Sequence, residues 1–175
     1  MKFGKSIAAA AALACASAAL VAVTARAGGE KVAFPQNIGT LYANIDRANK
    51  NYAEFFISPP AALEAAKKGE AMPSGTVITM VQYGTKRDAQ DNPEKDANGR
   101  YIKTNLLAYM VMEKRTGWGT EYPANVRNGE WEYQVFKVDK TVNTGANLTA
   151  CFNCHKPLDA NKDFLFTYDR LKAMR

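Results

Sequence analysis

Two cysteines and a histidine form a group of side chains that points to a specific chemistry in this 175-residue sequence. Cys151 and Cys154 are separated by two residues, and His155 follows directly. In a Cys-x-x-Cys-His motif, each thiol can add to one vinyl group of a porphyrin while the histidine ligates the iron from the same side. The motif therefore predicts one covalently bound haem c, with His155 as the metal ligand.

Two other uses of such a cysteine pair fit the sequence less well. A structural zinc site needs four ligands, and no second pair of cysteines or histidines follows the motif. A thioredoxin-like redox pair would need a strand before the motif and a helix starting at it, and it would have no use for His155. Attachment of haem is the interpretation that uses all three residues.

The sequence leaves the ligand on the other iron face open. His155 is the only histidine, so that face can carry a methionine, a lysine amine, water or nothing. A methionine would give a six-coordinate electron carrier, and an empty position would give a site for a gas or a substrate. The candidate methionines are Met72, Met80, Met110 and Met112.

An export leader is predicted at the start of the chain. A positively charged start is followed by an apolar, alanine-rich run from Ile7 to Val23, shorter than the roughly 20 residues that span a bilayer. The small residues of Ala25-Arg26-Ala27 then form a cleavage site before Gly28. We therefore predict a signal peptide over residues 1–27, a periplasmic haem domain over residues 28–175, and no membrane attachment after cleavage.

The charge of the predicted mature chain argues against a nucleic-acid partner. The whole sequence has a formal net charge of +6, and the leader contributes three of these charges through Lys2, Lys5 and Arg26. The mature chain thus carries +3, and its basic residues are scattered rather than gathered into a patch. This pattern predicts a solvated surface.

Hydrophobic periodicity predicts a single α+β domain, a mainly antiparallel β-sheet with a few helices. Strands are expected where apolar residues alternate, and helices where they recur at helical spacing or follow a proline. The predicted strands are Thr76 to Tyr83, Leu106 to Met112 and Trp131 to Val138. The predicted helices are Asn37 to Phe55, Ala61 to Lys68 with Gly69 as its C-cap, and Tyr168 to Met174.

Four blocks of the sequence, taken in order, resemble the cytochrome P-460 family, which includes the cytochromes c′-beta. The blocks are Pro73-Ser74-Gly75-Thr76-Val77, Trp131 with Tyr133 and Phe136, Cys151 to His155, and Asp163-Phe164-Leu165-Phe166. The resemblance extends over about residues 35–170. It implies a homodimer of mostly antiparallel sheet, with one five-coordinate haem near the end of each chain.

The two branches of this family differ in chemistry, and the sequence is closer to the c′-beta branch. Resemblance to the cytochromes P-460 would imply hydroxylamine oxidation, with a lysine cross-linked to the porphyrin and an acidic residue on the distal face. Here Met80 stands at the place of that lysine and Ala108 at the place of the acid. Resemblance to the cytochromes c′-beta implies binding of nitric oxide beneath an apolar cap that is often lined by phenylalanine.

Strand periodicity gives the same picture of the distal side. Alternate residues of the predicted strands 76–83 and 106–112 share one face each, and both faces are almost wholly apolar. If these faces line the haem, two phenylalanines upstream are candidates to close the pocket. The candidate pocket residues are Ile78, Met80, Ala108, Met110, Phe55 and Phe56.

Three functions remain open from the sequence. The favoured hypothesis is a periplasmic cytochrome that binds nitric oxide, with CO as a probe, at an iron held by His155. Neutral gases enter an apolar pocket without losing hydration, whereas hydroxylamine oxidation needs a base near the substrate. The alternatives are a hydroxylamine-oxidising enzyme, and an electron carrier with His155 and Met80 on opposite iron faces and a redox partner.

Overall fold

A five-stranded antiparallel sheet forms the centre of the protein, with its strands adjacent in chain order. The computed structural model describes residues 28–158 and 160–174, and the predicted signal peptide lies outside them. The strands are β1 (Thr40–Asp46), β2 (Tyr52–Ser58), β3 (Val77–Thr85), β4 (Lys103–Lys114) and β5 (Trp131–Phe136); the helices are α1 (Pro60–Lys68), α2 (Leu148–His155) and α3 (Tyr168–Lys172). This architecture confirms the predicted α+β class.

The three predicted strands are confirmed, with shifted ends. β-Branched and aromatic residues favour the extended backbone of β3 and β4, and both strands run beyond their predicted limits. β5 ends at Phe136, before the predicted Val138, because the chain turns there. The Lys140 N–H donates to the Lys137 carbonyl at 2.9 Å, and Lys140 has a left-handed φ of 67°.

The predicted helix from Asn37 to Phe55 is wrong, because most of this segment forms a hairpin of β1 and β2. The Arg47 N–H donates to the Asn51 carbonyl at 2.9 Å and closes the turn, in which Lys50 has a φ of 65°. The aromatic and isoleucine residues that recur there at helical spacing also have high strand propensity, and the asparagines between them favour a turn. β2 also pairs with β3, and these backbone hydrogen bonds stabilise the strand conformation of the segment over a helix.

All three α-helices pack on one side of the sheet, which we call the helical face. α1 begins after a proline and ends at Gly69, whose φ of 75° makes it the predicted C-cap. The core between sheet and helices contains aliphatic and aromatic side chains from every strand and helix, among them Ile57, Leu63, Ile78, Met112, Tyr133, Phe152 and Leu171. Within residues 28–158 and 160–174, no helix is long and apolar enough to cross a bilayer.

The opposite side of the sheet carries a smaller apolar cluster. Val111 and Phe136 are buried there, and Phe34, from the segment before β1, packs against them. Its ring meets those of Tyr109 and Phe136 edge-on, with centroids 5.0 and 5.3 Å away. The segment before β1 is therefore packed against β4 and β5 on the side of the sheet opposite the helices.

Candidate haem site

The Cys-x-x-Cys-His motif lies on α2, a helix that the sequence did not predict. Asn147 caps the helix, because its side-chain oxygen accepts the Ala150 N–H at 3.3 Å. Phe152, between the two cysteines, is 1% exposed, and its ring packs edge-on against Tyr122 and Tyr133 at 5.0 and 4.8 Å. This buried aromatic anchors the motif to the core.

The two thiols lie about one helical turn apart on α2. Residues three apart are neighbours on a helix surface, so Cys151 and Cys154 can both face one flat ligand. Cys151 is partly buried, Cys154 is exposed, and neither forms a disulfide. Burial raises the pKa of the Cys151 thiol, and the neighbouring Cys154 raises it further.

His155 is held in one orientation at the end of α2. Its Nδ1 lies 2.7 Å from the Phe164 carbonyl oxygen, so the neutral ring donates from Nδ1 and presents a free lone pair at Nε2. The rings of Tyr133 and Phe166 lie 5.0 and 5.1 Å from the imidazole. Burial lowers the pKa of His155, although the bond to Phe164 opposes this shift. A neutral, oriented imidazole is the form that binds a metal.

The loop that supplies the Phe164 carbonyl is fixed by a buried carboxylate. Asp163 and Phe164 have consecutive left-handed φ values of 47° and 57°. Asp163 is 8% exposed and accepts the Lys114 ammonium at 2.8 and 3.0 Å, the Trp131 indole N–H at 3.1 Å and the Met72 N–H at 3.0 Å. Asp163 thus fixes the turn and does not contact His155, whose Nδ1 bonds to the carbonyl of the next residue instead.

Two cross-strand rows of side chains on the helical face differ in how well the helices cover them. Ile57, Ile78, Met112 and Tyr133 are paired partners across β2 to β5, and all are buried. The next row consists of Phe55, Met80, Met110 and Val135, which are also paired partners but only half-buried. We call this second row the open row. Val135 lies about 7 Å along β5 from Tyr133, the residue that touches His155.

The predicted pocket residues divide between these rows. The strand faces inferred for β3 and β4 lie on one side of the sheet, since Ile78 pairs with Met112, Met80 with Met110, and Gln82 with Ala108. Ile78 lies beneath the helices in the buried row. The open row holds Phe55, Met80 and Met110, with Ala108 next to it.

Phe56 does not belong to this set. It pairs with Thr79, while Phe55 pairs with Met80, and successive residues of a strand point to opposite sides of the sheet. Phe56 therefore faces away from α2 and the cysteines. The expectation that both phenylalanines close one pocket is wrong for Phe56, because that expectation ignored the strand geometry of its segment.

A guanidinium group also reaches the open row. Arg47 Nη1 donates to the Met80 sulfur at 3.5 Å and to Gln82 Oε1 at 3.2 Å. Sequence reasoning missed Arg47 because it placed the residue inside a helix. A correct hairpin assignment would have put Arg47 at the end of β1, beside the strand face that carries Met80.

The donor set of the motif bears on the choice between a zinc site and a haem. Among residues 28–158 and 160–174, no group of three or more histidine, cysteine, aspartate or glutamate side chains is placed to hold a metal ion. The motif on α2 thus offers one oriented histidine and two free thiols, which is the donor set of an attached haem rather than of a zinc site.

The family of cytochromes P460 has a sequence model that matches residues 36–167, well over half of the chain. The chain belongs to the cytochrome P460 family. This confirms the resemblance drawn from the four sequence blocks, and membership implies a haem cofactor. No curated protein matches the chain.

The residues of this cytochrome fit a haem. Two unpaired thiols about a turn apart, a histidine with a free Nε2 and a half-buried apolar row meet on one side of the sheet. Phe166 is 59% exposed, and its ring lies 5.1 Å from the imidazole of His155, so it is available for contact with a bound ligand. Sequence reasoning included Phe166 in a family block without giving it a role, and a backbone carbonyl such as that of Phe164 leaves no sequence signal at all.

Proposed function

We propose that this protein is an exported c-type cytochrome that binds nitric oxide, and CO as a probe, at a single haem. In this proposal Cys151 and Cys154 form thioether bonds to the haem, and His155 is the only side chain that ligates its iron. The observation that carries the proposal is a neutral, fixed histidine on the helical face that also carries the apolar open row. When bound, the haem supplies an iron with one position available to a diatomic gas.

The chain's own residues would define the proximal side of such a site. The Phe164 carbonyl takes the Nδ1 proton, so the Nε2 lone pair of His155 is the one available to the iron. Contacts with Tyr133 and Phe166 restrict rotation of the imidazole. Asn128 donates to both the Tyr133 hydroxyl and the Phe152 carbonyl at 3.0 Å, which ties α2 to β5 next to the ligand.

The open row favours gas binding over hydroxylamine oxidation because it contains no general base. Its four side chains are apolar, and the Arg47 guanidinium in contact with it has five N–H donors and no acceptor atom. Oxidation of hydroxylamine must remove protons from the substrate, whereas binding a neutral diatomic gas requires no proton transfer. A neutral diatomic gas also gives up few hydrogen bonds to water when it moves into contact with apolar side chains, so its binding there has a small desolvation cost.

One observation keeps an electron carrier as the second candidate. Met80 lies in the open row with a half-buried side chain, so a thioether is present on the helical face. Its sulfur accepts a contact from the Arg47 guanidinium at 3.5 Å. The absorption spectrum of the ferrous protein distinguishes gas binding from electron transfer.

Export and a homodimeric state are further parts of this proposal. Export is supported by the leader-like residues 1–27. The dimer is supported by the family resemblance alone. Cell fractionation tests the first, and light scattering on the purified protein tests the second.

The deciding experiment is the absorption spectrum of the purified ferrous protein with and without nitric oxide and CO. We expect a high-spin, five-coordinate spectrum that changes on addition of either gas. A low-spin spectrum that neither gas alters at millimolar concentration would contradict gas binding and support the electron carrier.

Mass spectrometry of the haem peptide tests the mode of attachment. We expect a haem bound to the 148–155 segment through two thioether bonds, and loss of covalent haem in a Cys151→Ser, Cys154→Ser variant. A third covalent bond from any lysine to the porphyrin would overturn the proposal in favour of the hydroxylamine-oxidising enzyme.

A further inference from the structure

Glu132 of β5 is a fully buried carboxylate with incomplete partners. Its side chain is 0% exposed, and Oε2 accepts the Tyr122 hydroxyl at 3.0 Å. Oε1 has no hydrogen-bond partner in the described part of the chain. The Lys31 ammonium lies 3.7 Å from Oε1, beyond hydrogen-bond distance, and it also pairs with Glu121. Burying a carboxylate in this way is costly unless a further positive donor is supplied.

Gly28 lies against this carboxylate. Its backbone N–H donates to the Tyr122 hydroxyl, the same group that donates to Glu132. A Cβ placed on Gly28 would lie 3.0 Å from the Tyr122 hydroxyl and 3.3 Å from Glu132 Oε1. The backbone of Gly28 therefore borders the one carboxylate oxygen that has no hydrogen bond.

The next residue ties this segment to the haem-binding helix. The Gly29 carbonyl accepts the Gln134 side-chain amide at 2.8 Å, and Gly29 is buried. A Cβ on Gly29 would lie 2.3 Å from Leu148 Cδ1 and 3.3 Å from the Tyr133 carbonyl. Residues 28 and 29 are thus fitted between β5 and the first residue of α2.

We propose that cleavage before Gly28 creates an α-ammonium group that pairs with Glu132, and that this buried ion pair locks the mature N-terminus against the haem-binding helix. The proposal rests on the export step of the proposed function. In an uncleaved chain the Gly28 nitrogen is an amide with one hydrogen and no charge. After cleavage it carries three hydrogens and a positive charge, so it can donate to the Tyr122 hydroxyl and to Glu132 Oε1 together.

The ion pair predicts a particular pH dependence of stability. Lys31 and Glu30 lie near the ion pair in a short 3₁₀ helix, Gly29–Lys31, and Glu121 and Tyr122 approach from the loop before β5. Glu113 is the cross-strand partner of Glu132, and its carboxylate pairs with Arg115 at 2.6 Å. An α-amino group titrates at about pH 8 when exposed. A carboxylate partner raises the pKa of this group in the folded state, so, while Glu132 is ionised, the stabilisation is present below about pH 8 and is lost as the pH rises through the raised pKa. Burial raises the pKa of Glu132, so protonation of this carboxylate removes the ion pair at acidic pH.

The first test is the N-terminus and its reactivity in the exported holoprotein. We expect the intact mass of a chain that begins at Gly28. At pH 7, acylation of its α-amine by a succinimidyl ester should be at least tenfold slower than in the Glu132→Gln variant. A mature chain that begins elsewhere, or equal rates of acylation, would overturn the inference, while the gas-binding spectrum would be unaffected by either result.

A double-mutant cycle provides the second test. Inserting Ser-Gln between Ala27 and Gly28 moves the new α-ammonium away, and we expect the melting temperature at pH 7 to fall by about 5 °C or more. The same insertion in the Glu132→Gln background should change it by less than about 2 °C. The insertion in Glu70→Gln, which removes an exposed carboxylate, should behave as in the wild type. Equal losses in the Glu132→Gln and wild-type backgrounds would contradict the pairing.

If the Glu132→Gln protein cannot be purified, the wild type and the Ser-Gln insertion variant together decide the question. The melting temperature of the wild type should fall more steeply between about pH 8 and pH 10 than that of the Ser-Gln insertion variant, whose displaced amine has no carboxylate to lose. Parallel pH profiles for these two proteins would sink the proposal.

Discussion

Replacing Asp163 by alanine tests whether the loop behind His155 is held by one carboxylate. Asp163 joins three separate parts of the fold, since its partners are Lys114 at the end of β4, Trp131 at the start of β5 and the backbone of Met72. Both members of the Asp163–Lys114 pair have side chains that are 11% exposed. Removing the carboxylate leaves an ammonium, an indole N–H and an amide N–H in a poorly hydrated site.

The cost can be bounded from these contacts. Breaking a buried ion pair by deleting one partner typically costs about 3–5 kcal/mol, because the other charge remains buried. Each further donor left without a partner adds about 1 kcal/mol or more. Partial access of water to Lys114 reduces the sum, so we expect Asp163→Ala to lose about 4 kcal/mol, which lowers the melting temperature by roughly 10 °C in a domain of this size.

The measurement is thermal unfolding of the holoprotein, followed by circular dichroism. Asp169→Ala is a matched control, since Asp169 also pairs with a lysine, Lys162, at 2.6 Å but its side chain is 72% exposed. We expect a change of at most about 1 kcal/mol for this variant. The iron–histidine stretching band should broaden in Asp163→Ala and stay sharp in the control. Equal melting temperatures for the two variants would refute the assignment of Asp163 as the support of this loop.

Three further substitutions probe the open row and the sheet. Met80→Leu should leave the ferrous spectrum and nitric oxide binding unchanged, as should Met72→Leu in the core; a change confined to Met80→Leu would identify Met80 as an iron ligand. Gly39→Ala should lose about 3 kcal/mol or more in urea denaturation, because its φ is 91° and the new Cβ would lie 2.0 Å from a carbonyl oxygen of β2. Gly99→Ala, with a φ of 76° and no atom within 4 Å of the new Cβ, should lose only about 1–2 kcal/mol. Thr79→Val should be neutral or stabilising by up to about 1 kcal/mol in the same assay, because the Thr79 hydroxyl is buried without a hydrogen-bond partner in the described part of the chain.

The sequence predicted those parts of the fold whose local signals agree with their surroundings. β3 alternates with period two, and α1 has a proline at its start and a glycine at its end, so propensity and packing favour the same structure. Alternation grouped Ile78 with Met80 on β3 and Met110 with Met112 on β4, and the pairing of these strands brings the two groups together. The assignment of Cys151, Cys154 and His155 to haem attachment rests on their local spacing and stays a prediction.

The hairpin of β1 and β2 could not be predicted in the same way. The spacing of its apolar residues satisfies a helical pattern, and only pairing with β3 shows that they belong to strands. This error also hid Arg47 and assigned Phe56 to a pocket that it does not face. The helix at the motif was missed for the opposite reason, since its eight residues are few and its stability comes from burying Phe152 between two tyrosine rings.

A Cys-x-x-Cys-His motif predicts attachment of haem but does not determine which ligands the iron can bind. We expect that property to depend on the fold around the motif. Gly29 packs on Leu148 at the start of α2, and the Phe164 carbonyl fixes His155 at its end, so distant parts of the chain hold both ends of the motif helix. The β2 hairpin then brings Phe55 beside Met80 and completes an apolar row across four strands. Because these contacts join β2 to the segment after α2, the gas-binding properties that we propose depend on nearly the whole domain rather than on the motif.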